Sequence, residues 1–361
     1  MKLFELLARI RLAPRGAAPP KGRDILLDFL KGTAITLVVC GHYLQGSTEK
    51  FDDLYGFRVI YSFHMPFFAF LSGAAAAHWI ARLNTVGDFR SLRRQSFARV
   101  KSSINRLLIP FGAWTMVRFA VSQSQDSFYV YMTRVFVHVD NSLWFLPCMF
   151  WLTLYTVMLL FMLHAIRLKF AYLYISRHLT YVPLQALVLC LAWFLVRKKM
   201  PTQFGLDFAN EIGRGLYIFF LFGVAFYGGI KDVKNIFLRV GPYFVWLLLV
   251  PYWHRAMPNN IATDAPGFLV SSGWINENFT LIVALSGTLA LVDLSKLLVN
   301  SRIKWLDILF CTMGVESLVI YAAHYYFLPY SPPVISAIIV SMLIYRGLYM
   351  MPVTRRLFLG E

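Results

Sequence analysis

The chain has 361 residues, of which 58% are hydrophobic and 15% charged, and its formal net charge is +17. Soluble domains carry about 25% charged residues, so this composition excludes an ordinary soluble domain and indicates an integral membrane protein. A positive charge of this size would otherwise indicate nucleic-acid binding. Here the basic residues lie between apolar segments, where they mark the cytoplasmic side of a membrane. We expect a lipid bilayer and no nucleic acid among the partners.

Residues 1–23 are interrupted by charges and end in a Pro/Gly-rich stretch. They lack the clean apolar run and small-residue cleavage site of a signal peptide, and we predict a cytoplasmic amphipathic segment followed by a linker. Residues 24–351 form the predicted multi-pass membrane domain, and residues 352–361 a cytoplasmic tail.

Ten apolar segments approach the roughly 20 residues that a membrane-spanning helix needs. The sequence therefore predicts an all-α membrane protein with about ten transmembrane helices around a polar tunnel. The predicted helices cover residues 24–45, 57–81, 107–122, 143–165, 179–196, 214–230, 236–253, 273–292, 306–327 and 332–350.

The distribution of charge predicts the orientation of these helices. Residues 82–106 carry seven basic residues against Asp88, which indicates a cytoplasmic loop. Both termini are then cytoplasmic as well. Residues 197–214 do not fit this orientation, because they are rich in Lys and Arg but fall on the outer side of a ten-helix topology.

The first predicted helix carries ionisable residues inside a membrane-length apolar stretch, which costs at least about 2.5 kcal/mol for each group at the bilayer centre. At about 100° per residue, these residues share one stripe that faces away from the apolar remainder of the helix. The stripe contains Asp24, Asp28, Lys31, Ile35, Val38 and His42, and Gln45 extends it. Such a stripe lines a polar cavity, forms ion pairs or takes part in chemistry.

Four cysteines lie in separate apolar stretches with no common spacing: Cys40, Cys148, Cys190 and Cys311. This spacing predicts neither a disulfide framework nor a metal site.

The stretch that ends at His42 resembles the signature of the acyltransferase-3 family of multi-pass membrane O-acyltransferases, and further stretches resemble later parts of that family in the same order. They are DILLDFLKGTAITLVVCGH (24–42), SFHMPFFAFLSGA (62–74), NRLLIPF (105–111), SLWFLPCMF (142–150) and SLVIYAAH (317–324). Within the family the chain looks most like bacterial sugar O-acetyltransferases of the fucose-4-O-acetylase type. Many members have Arg where this chain has Lys31, which keeps the charge but loses the two-pronged guanidinium.

The resemblance implies transfer of an acetyl or other acyl group from cytosolic acetyl-CoA to a hydroxyl of a cell-surface or exported polysaccharide or its lipid-linked precursor. It implies a bacterial inner-membrane location, with acetyl-CoA as a substrate and no permanently bound cofactor. His42 is the expected catalytic base, because His titrates near neutral pH. Direct transfer and an acyl-histidine relay both stay open at this point.

Roles for the other polar residues follow from the same expectation. Lys31 and Asp28 join His42 as catalytic candidates, although Asp28 is equally suited to neutralising Lys31 at i+3. Lys31, Arg94 and Arg106 are the candidates for binding CoA phosphates. The candidate acceptor-binding residues are Gln45, His64, Trp144 and His324.

Each role has a simpler structural alternative. A membrane His often joins helices through one hydrogen bond, and Trp144 fits an interfacial aromatic belt. Arg94 belongs to a basic run that can contact anionic lipid alone. A transporter or flippase of glycan intermediates would also need a polar tunnel, but it would more often show paired repeats, and the sequence shows none.

Overall fold

The computed structural model describes residues 24–122, 127–137, 143–169, 182–197, 213–301 and 303–361. Predictions for residues 1–23, and for most of the disputed stretch 197–214, lie outside these ranges. Within them the regular elements are helical, apart from an isolated β-bridge between Trp253 and Ile261. The helices are α1 Ile25–Ser47, α2 Tyr55–Tyr61, α3 His64–Asn84, α4 Phe89–Ser103, α5 Ile109–Val121, α6 Phe128–Val137, α7 Phe145–Lys169, α8 Val182–Arg197, α9 Gly213–Lys231, α10 Ile236–Leu249, α11 Gly267–Ser271, α12 Gly273–Asn300, α13 Lys304–Val315, α14 Ser317–Ala323, α15 Pro333–Met350 and α16 Pro352–Thr354.

Five of the described spans are long and apolar enough to cross a membrane: Ile25–Ser47, Tyr55–Asn84, Phe145–Lys169, Gly273–Asn300 and Pro333–Met350. A sixth is obtained if α13 and the bent segment Ser317–Tyr326 count as one span. Shorter apolar helices occupy Val182–Leu191, Gly215–Ile230 and Ile236–Tyr252. The all-helical membrane class is therefore confirmed, and the count of ten helices stays a prediction.

Helix α1 has a defined start and satisfies its own polar groups. The side chain of Asp24 accepts a hydrogen bond from the backbone N–H of Leu27 at 3.1 Å and caps the first turn. The Thr33 and Thr36 hydroxyls donate to carbonyls one turn back, so neither hydroxyl is left unsatisfied in an apolar setting. The helix can therefore present a polar stripe without breaking its backbone.

Two helix pairs approach backbone to backbone at glycines. In the pair α1 and α13, Gly32 and Gly314 each lie against the backbone of the other helix, with no room for a Cβ. In the pair α3 and α9, Gly73 and Gly223 are arranged in the same way. Small residues at such crossings maximise van der Waals contact where lipid provides no hydrophobic drive.

Several segments predicted as continuous helices are interrupted. The segment 306–327 bends by 67° between α13 and α14, where the buried Glu316 precedes α14. The segment 57–81 changes from α2 to α3 at Ser62 and Phe63. A π-helical turn, Ile104–Leu108, separates α4 from α5. Hydropathy alone identifies apolar runs but does not detect these breaks.

The loops at the C-terminal end of α1 form a small folded unit. Arg58 donates to the carbonyl oxygens of Asp52 at 3.1 Å and Pro251 at 3.0 Å, which ties the α1–α2 loop to the segment after α10. His254 adds an Nε2–Oδ1 contact of 3.5 Å to Asp53. A separate apolar cluster lies beneath, formed by Phe57, Val250, Trp253, Ile261, Leu269, Phe279 and Val283.

The predicted tail, residues 352–361, is a folded part of the helical domain. It contains α16 and a second π-helical turn, Arg355–Leu359, and Leu359 is buried. The tail packs against α5 and α15. Residue 352 is therefore the point after α15 at which the chain begins to pack back against α5 and α15.

Candidate active site

His42 and His324 meet although 282 residues separate them in the chain. The Nδ1 atom of His42 lies 2.7 Å from the Nε2 atom of His324. The rings are parallel to within 5° and their centroids are 5.0 Å apart, so at this N–N distance they meet edge to edge in one plane. His324 is fully buried and His42 is partly exposed. One imidazole is therefore partly accessible while the other is held inside the protein.

The hydrogen bonds of the pair determine which nitrogen carries a proton. The Nδ1 atom of His324 lies 2.9 Å from the carbonyl oxygen of Ile320. A carbonyl oxygen can only accept a hydrogen bond, so this Nδ1 atom carries a proton and donates it. In the neutral ring the Nε2 of His324 is then an acceptor, and it accepts the Nδ1–H of His42. The remaining nitrogen of His42, Nε2, holds a free lone pair. This is the arrangement in which one group orients a base for proton transfer.

Tyr325 and Tyr321 complete the surroundings of the pair. The Tyr325 ring lies on His42 with centroids 4.5 Å apart and on His324 with centroids 4.4 Å apart. Tyr321 is buried, lies 6.5 Å from His324 between ring centroids, and its hydroxyl accepts the backbone N–H of Phe145 at 3.3 Å. Both tyrosines restrict the movement of the imidazoles. Neither tyrosine stands out in the sequence, because Tyr is common in apolar helices.

A cavity of about 320 Å³ extends along α1 on the predicted stripe. This volume is at the lower end of the range for ligand pockets. Lys31, Ile35 and Val38 line it in the order that the helical repeat predicts, and Tyr321 also lines it beside the histidine pair. The other lining residues come from six elements: Met65, Phe68, Leu71, Ser72, Ala75, Arg99, Ser102, Ser103, Arg106, Leu107, Phe145, Leu146, Met149, Thr153, Phe220, Ser317 and Leu318.

Three cations line this cavity: Lys31, Arg99 and Arg106. Among the residues that the structure describes, no carboxylate forms an ion pair with either arginine. Burial and the like charges of Arg106 and Arg82 lower the pKa of Arg99. A mutually repelling cluster of this kind is stabilised when an anion binds.

Two of the basic residues differ from their expected places. Arg94 is exposed on α4 and is absent from the described cavity lining. Arg99, which the sequence did not separate from its basic run, lies in the cavity and above the Trp79 ring, with its guanidinium carbon 5.7 Å from the centroid. Its spacing of seven residues from Arg106 was the signal available, since i and i+7 share a helix face.

Asp28 and Lys31 form the i,i+3 ion pair that the sequence offered as one alternative. The Nζ–Oδ1 distance is 3.8 Å, and the side chains are 30% (Lys31) and 14% (Asp28) exposed. The pair is long and both side chains are partly exposed. Asp28 lies one turn further from the histidines than Lys31 does.

The proposed acceptor residues do not all converge. Gln45 accepts a hydrogen bond from the Tyr61 hydroxyl at 2.8 Å, and the Tyr61 ring lies 4.5 Å from that of His64. His64 is buried and its Nδ1–H donates to the Ile60 carbonyl at 3.0 Å. Trp144 packs edge-to-face on Phe145, with no described contact to the histidine pair.

The described residues contain no group of three or more His, Cys, Asp or Glu that could hold a metal ion. The four cysteines are free thiols.

Comparison with known proteins gives the family. A family model described as an acyltransferase domain matches residues 24–354. Nodulation protein NolL of Sinorhizobium fredii (strain NBRC 101917 / NGR234) is 43% identical over 79 residues, or 20% of this chain and 22% of that protein. NolL of Mesorhizobium japonicum (strain LMG 29417 / CECT 9101 / MAFF 303099) is 40% identical over 74 residues, or 19% and 20%.

Each of these matches thus spans about a fifth of the relative's own length. No solved structure matches the chain. The family match covers every element that lines the cavity and both histidines of the pair. The chain belongs to the acyltransferase-3 family of membrane acyltransferases.

Proposed function

We propose that this acyltransferase moves an acetyl group from acetyl-CoA to a hydroxyl of a cell-surface or exported glycan, or of its lipid-linked precursor. The observation that carries the proposal is the 2.7 Å contact between His42 and His324. It leaves the Nε2 lone pair of the more exposed ring available to a substrate. A base oriented in this way is what the deprotonation of a hydroxyl requires.

The chemistry balances with His42 as base and then as acid. The Nε2 atom takes the proton of the acceptor hydroxyl as the oxygen attacks the thioester carbon. When the tetrahedral intermediate collapses, the carbon–sulfur bond breaks and the CoA thiolate receives that proton from Nε2. The products are the acetyl ester and free CoA, and His42 returns to its starting state. Proton transfer of this kind contributes about 10²–10⁴-fold to a rate.

His324 is the positioning partner in this scheme. While His42 carries the extra proton, His324 Nε2 accepts its Nδ1–H, and the Ile320 carbonyl holds His324 in the required tautomer. An acyl-histidine relay needs the same lone pair, so the geometry serves either route. Release of one equivalent of CoA before any acceptor is added would identify the relay.

The donor is proposed to bind along the cavity. Lys31, Arg99 and Arg106 supply the positive charge that the pyrophosphate and 3′-phosphate of CoA require. The mainly apolar wall between Ile35 and Tyr321 suits the uncharged arm that carries the thioester. Lys31 and His42 are about 16 Å apart along the helix axis, so one extended molecule can contact the cations and reach the base.

The acceptor is proposed to approach from the C-terminal end of α1. Gln45, Tyr61 and His64 lie there beneath the folded loops. In the proposed orientation this end faces outward, both termini are cytoplasmic, and the membrane is the bacterial inner membrane. Trp144 remains a candidate for stacking on a sugar ring.

The test uses the purified protein in lipid nanodiscs with acetyl-CoA and isolated glycan. We expect CoA release and acetylated product from the wild type, and a loss of at least about 100-fold in both for His42→Ala. The matched control is His78→Ala, because His78 is exposed on α3. A His42→Ala protein that accumulates normally and keeps its acetylation rate would contradict the proposal. Glycan movement across the bilayer without CoA release would indicate a flippase.

A further inference from the structure

The residues after α15 contact the backbone that carries Arg106. Gly360 follows the second π-helical turn with φ of 71°, in the left-handed region. A Cβ on Gly360 would lie 2.6 Å from the Cα of Arg106 and 2.6 Å from the carbonyl oxygen of Asn105. Both of those residues belong to the π-helical turn Ile104–Leu108. The two irregular turns therefore meet at a glycine, with no space between their backbones.

Helix α5 provides the second side of this contact. The Trp114 Nε1–H donates to the carbonyl oxygen of Phe358 at 3.2 Å, and the two rings pack edge to face with centroids 5.3 Å apart. Leu359 is buried between these elements. Arg355 lies over the Tyr349 ring, with its guanidinium carbon 5.3 Å from the centroid, which holds the segment to α15.

The contact matters because of what a π-helical turn is. Such turns have a wider hydrogen-bond spacing than the α-helix, are rarely stable alone and occur frequently at functional sites. The turn at residues 104–108 aims Arg106 into the cavity. A long Arg side chain binds more tightly when its backbone and rotamer are fixed before the ligand arrives. A rigid neighbour on the turn therefore contributes to binding without contacting the ligand.

We propose that residues 352–361, here called the C-terminal clamp, fix the π-helical turn so that Arg106 is held ready to bind a donor phosphate. Gly360 is the positioning residue at the point of contact. The family match ends at residue 354, so Gly360 lies beyond it. This inference rests on the proposed function, because it assigns Arg106 to the phosphates of CoA.

The test compares two donors that share a thioester but differ in phosphate. Acetyl-CoA carries the nucleotide phosphates, and acetyl-pantetheine carries none. We expect Gly360→Ala to raise KM for acetyl-CoA by about tenfold, the scale of one charged hydrogen bond, with kcat unchanged. Turnover of acetyl-pantetheine should equal that of the wild type, which also shows that the variant is folded. Gly112→Ala is the matched control, because a Cβ on Gly112 of α5 meets open space.

A second variant keeps the proposal testable if Gly360→Ala does not fold. Trp114→Phe keeps the ring packing and removes the hydrogen bond to Phe358, so a rise of about threefold in KM for acetyl-CoA alone is expected. Equal losses with both donors, or an unchanged KM for acetyl-CoA in both variants, would overturn the role of the clamp. A wild-type protein that turns over neither thioester would overturn the proposed function itself, and this inference with it.

Discussion

The two ends of the polar stripe on α1 hold their functional groups in different ways. At the C-terminal end, His42 is fixed by a directional hydrogen bond to a buried partner and by an aromatic ring on its face. At the other end, Lys31 lies 3.8 Å from Asp28 in a partly exposed ion pair and shares a cavity with Arg99 and Arg106. The directional hydrogen bond at His42 fixes the orientation of a side chain, whereas the clustered charge at the other end determines where an anion binds.

This difference predicts how the kinetic effects of substitutions divide. Loss of an interaction used only in the transition state lowers kcat, whereas loss of binding common to both states raises KM. Substitutions at the histidine end should therefore act mainly on kcat, and substitutions at the cationic end mainly on KM for acetyl-CoA.

The largest effect is expected at His324. Replacing it with Ala removes the acceptor of the His42 Nδ1–H, so the imidazole is free to rotate or change tautomer, and kcat should fall by about 10²–10⁴-fold. KM for acetyl-CoA should stay within about twofold. His324→Gln should recover part of the loss, because its amide oxygen accepts the same proton. Steady-state kinetics in nanodiscs provide the measurement.

Equal changes of kcat and of KM for acetyl-CoA in both His324 variants would mean that His324 only packs helices together. Failure of Gln to improve on Ala would argue against orientation through a hydrogen bond. The fully buried position of His324 makes expression level and thermal stability necessary controls for each variant.

A smaller effect, on KM, is expected at Lys31. Lys31→Met keeps a flexible stem and removes the charge, so KM for acetyl-CoA should rise by about 10- to 100-fold if the charge contacts a phosphate. Lys31→Arg should keep most activity, with some loss because the guanidinium differs in shape. Competition by free CoA provides an independent measure of affinity.

A second substitution at Asp28 distinguishes two explanations for a loss of activity in Lys31→Met. If Lys31 only neutralises Asp28, the double variant Lys31→Met/Asp28→Asn should recover activity, because no unpaired carboxylate remains in a partly buried site. If Lys31 binds the donor, the double variant should stay as weak as Lys31→Met. Full activity of Lys31→Met alone would remove the donor role from this end of the stripe.

The stripe itself was predictable from sequence because helical periodicity is a local property. Lys31, Ile35 and Val38 line the cavity as the 3.6-residue repeat requires. The class of the protein followed from composition, since few soluble domains have so few charges.

The pairing of His42 with His324 was not predictable in this way. Both residues were chosen as candidates, but 282 positions separate them, and no periodic pattern connects two helices at that distance. His324 also lies after the 67° bend between α13 and α14, which hydropathy does not reveal. Arg99 was not singled out because the basic run around it contains several cations that the sequence does not distinguish.

The smallest effect is expected at Tyr61, on the acceptor side. Tyr61→Phe keeps the ring beside Phe57 and His64 and removes the 2.8 Å hydrogen bond to Gln45. A net loss of about 0.5–1.5 kcal/mol corresponds to a rise of about two- to tenfold in KM for the glycan, with KM for acetyl-CoA unchanged. Tyr55→Phe, at an exposed position on α2, should change neither constant.

The Tyr61 effect should depend on Gln45, since the two side chains act as one unit. In a double-mutant cycle Tyr61→Phe should add little to Gln45→Ala, because the hydrogen bond is already absent. Additive effects would show that each side chain contacts the glycan separately, and a shift in KM for acetyl-CoA instead of the glycan would place the acceptor elsewhere. The cycle therefore tests whether the C-terminal end of α1 recognises the acceptor in the way that its other end is proposed to recognise the donor.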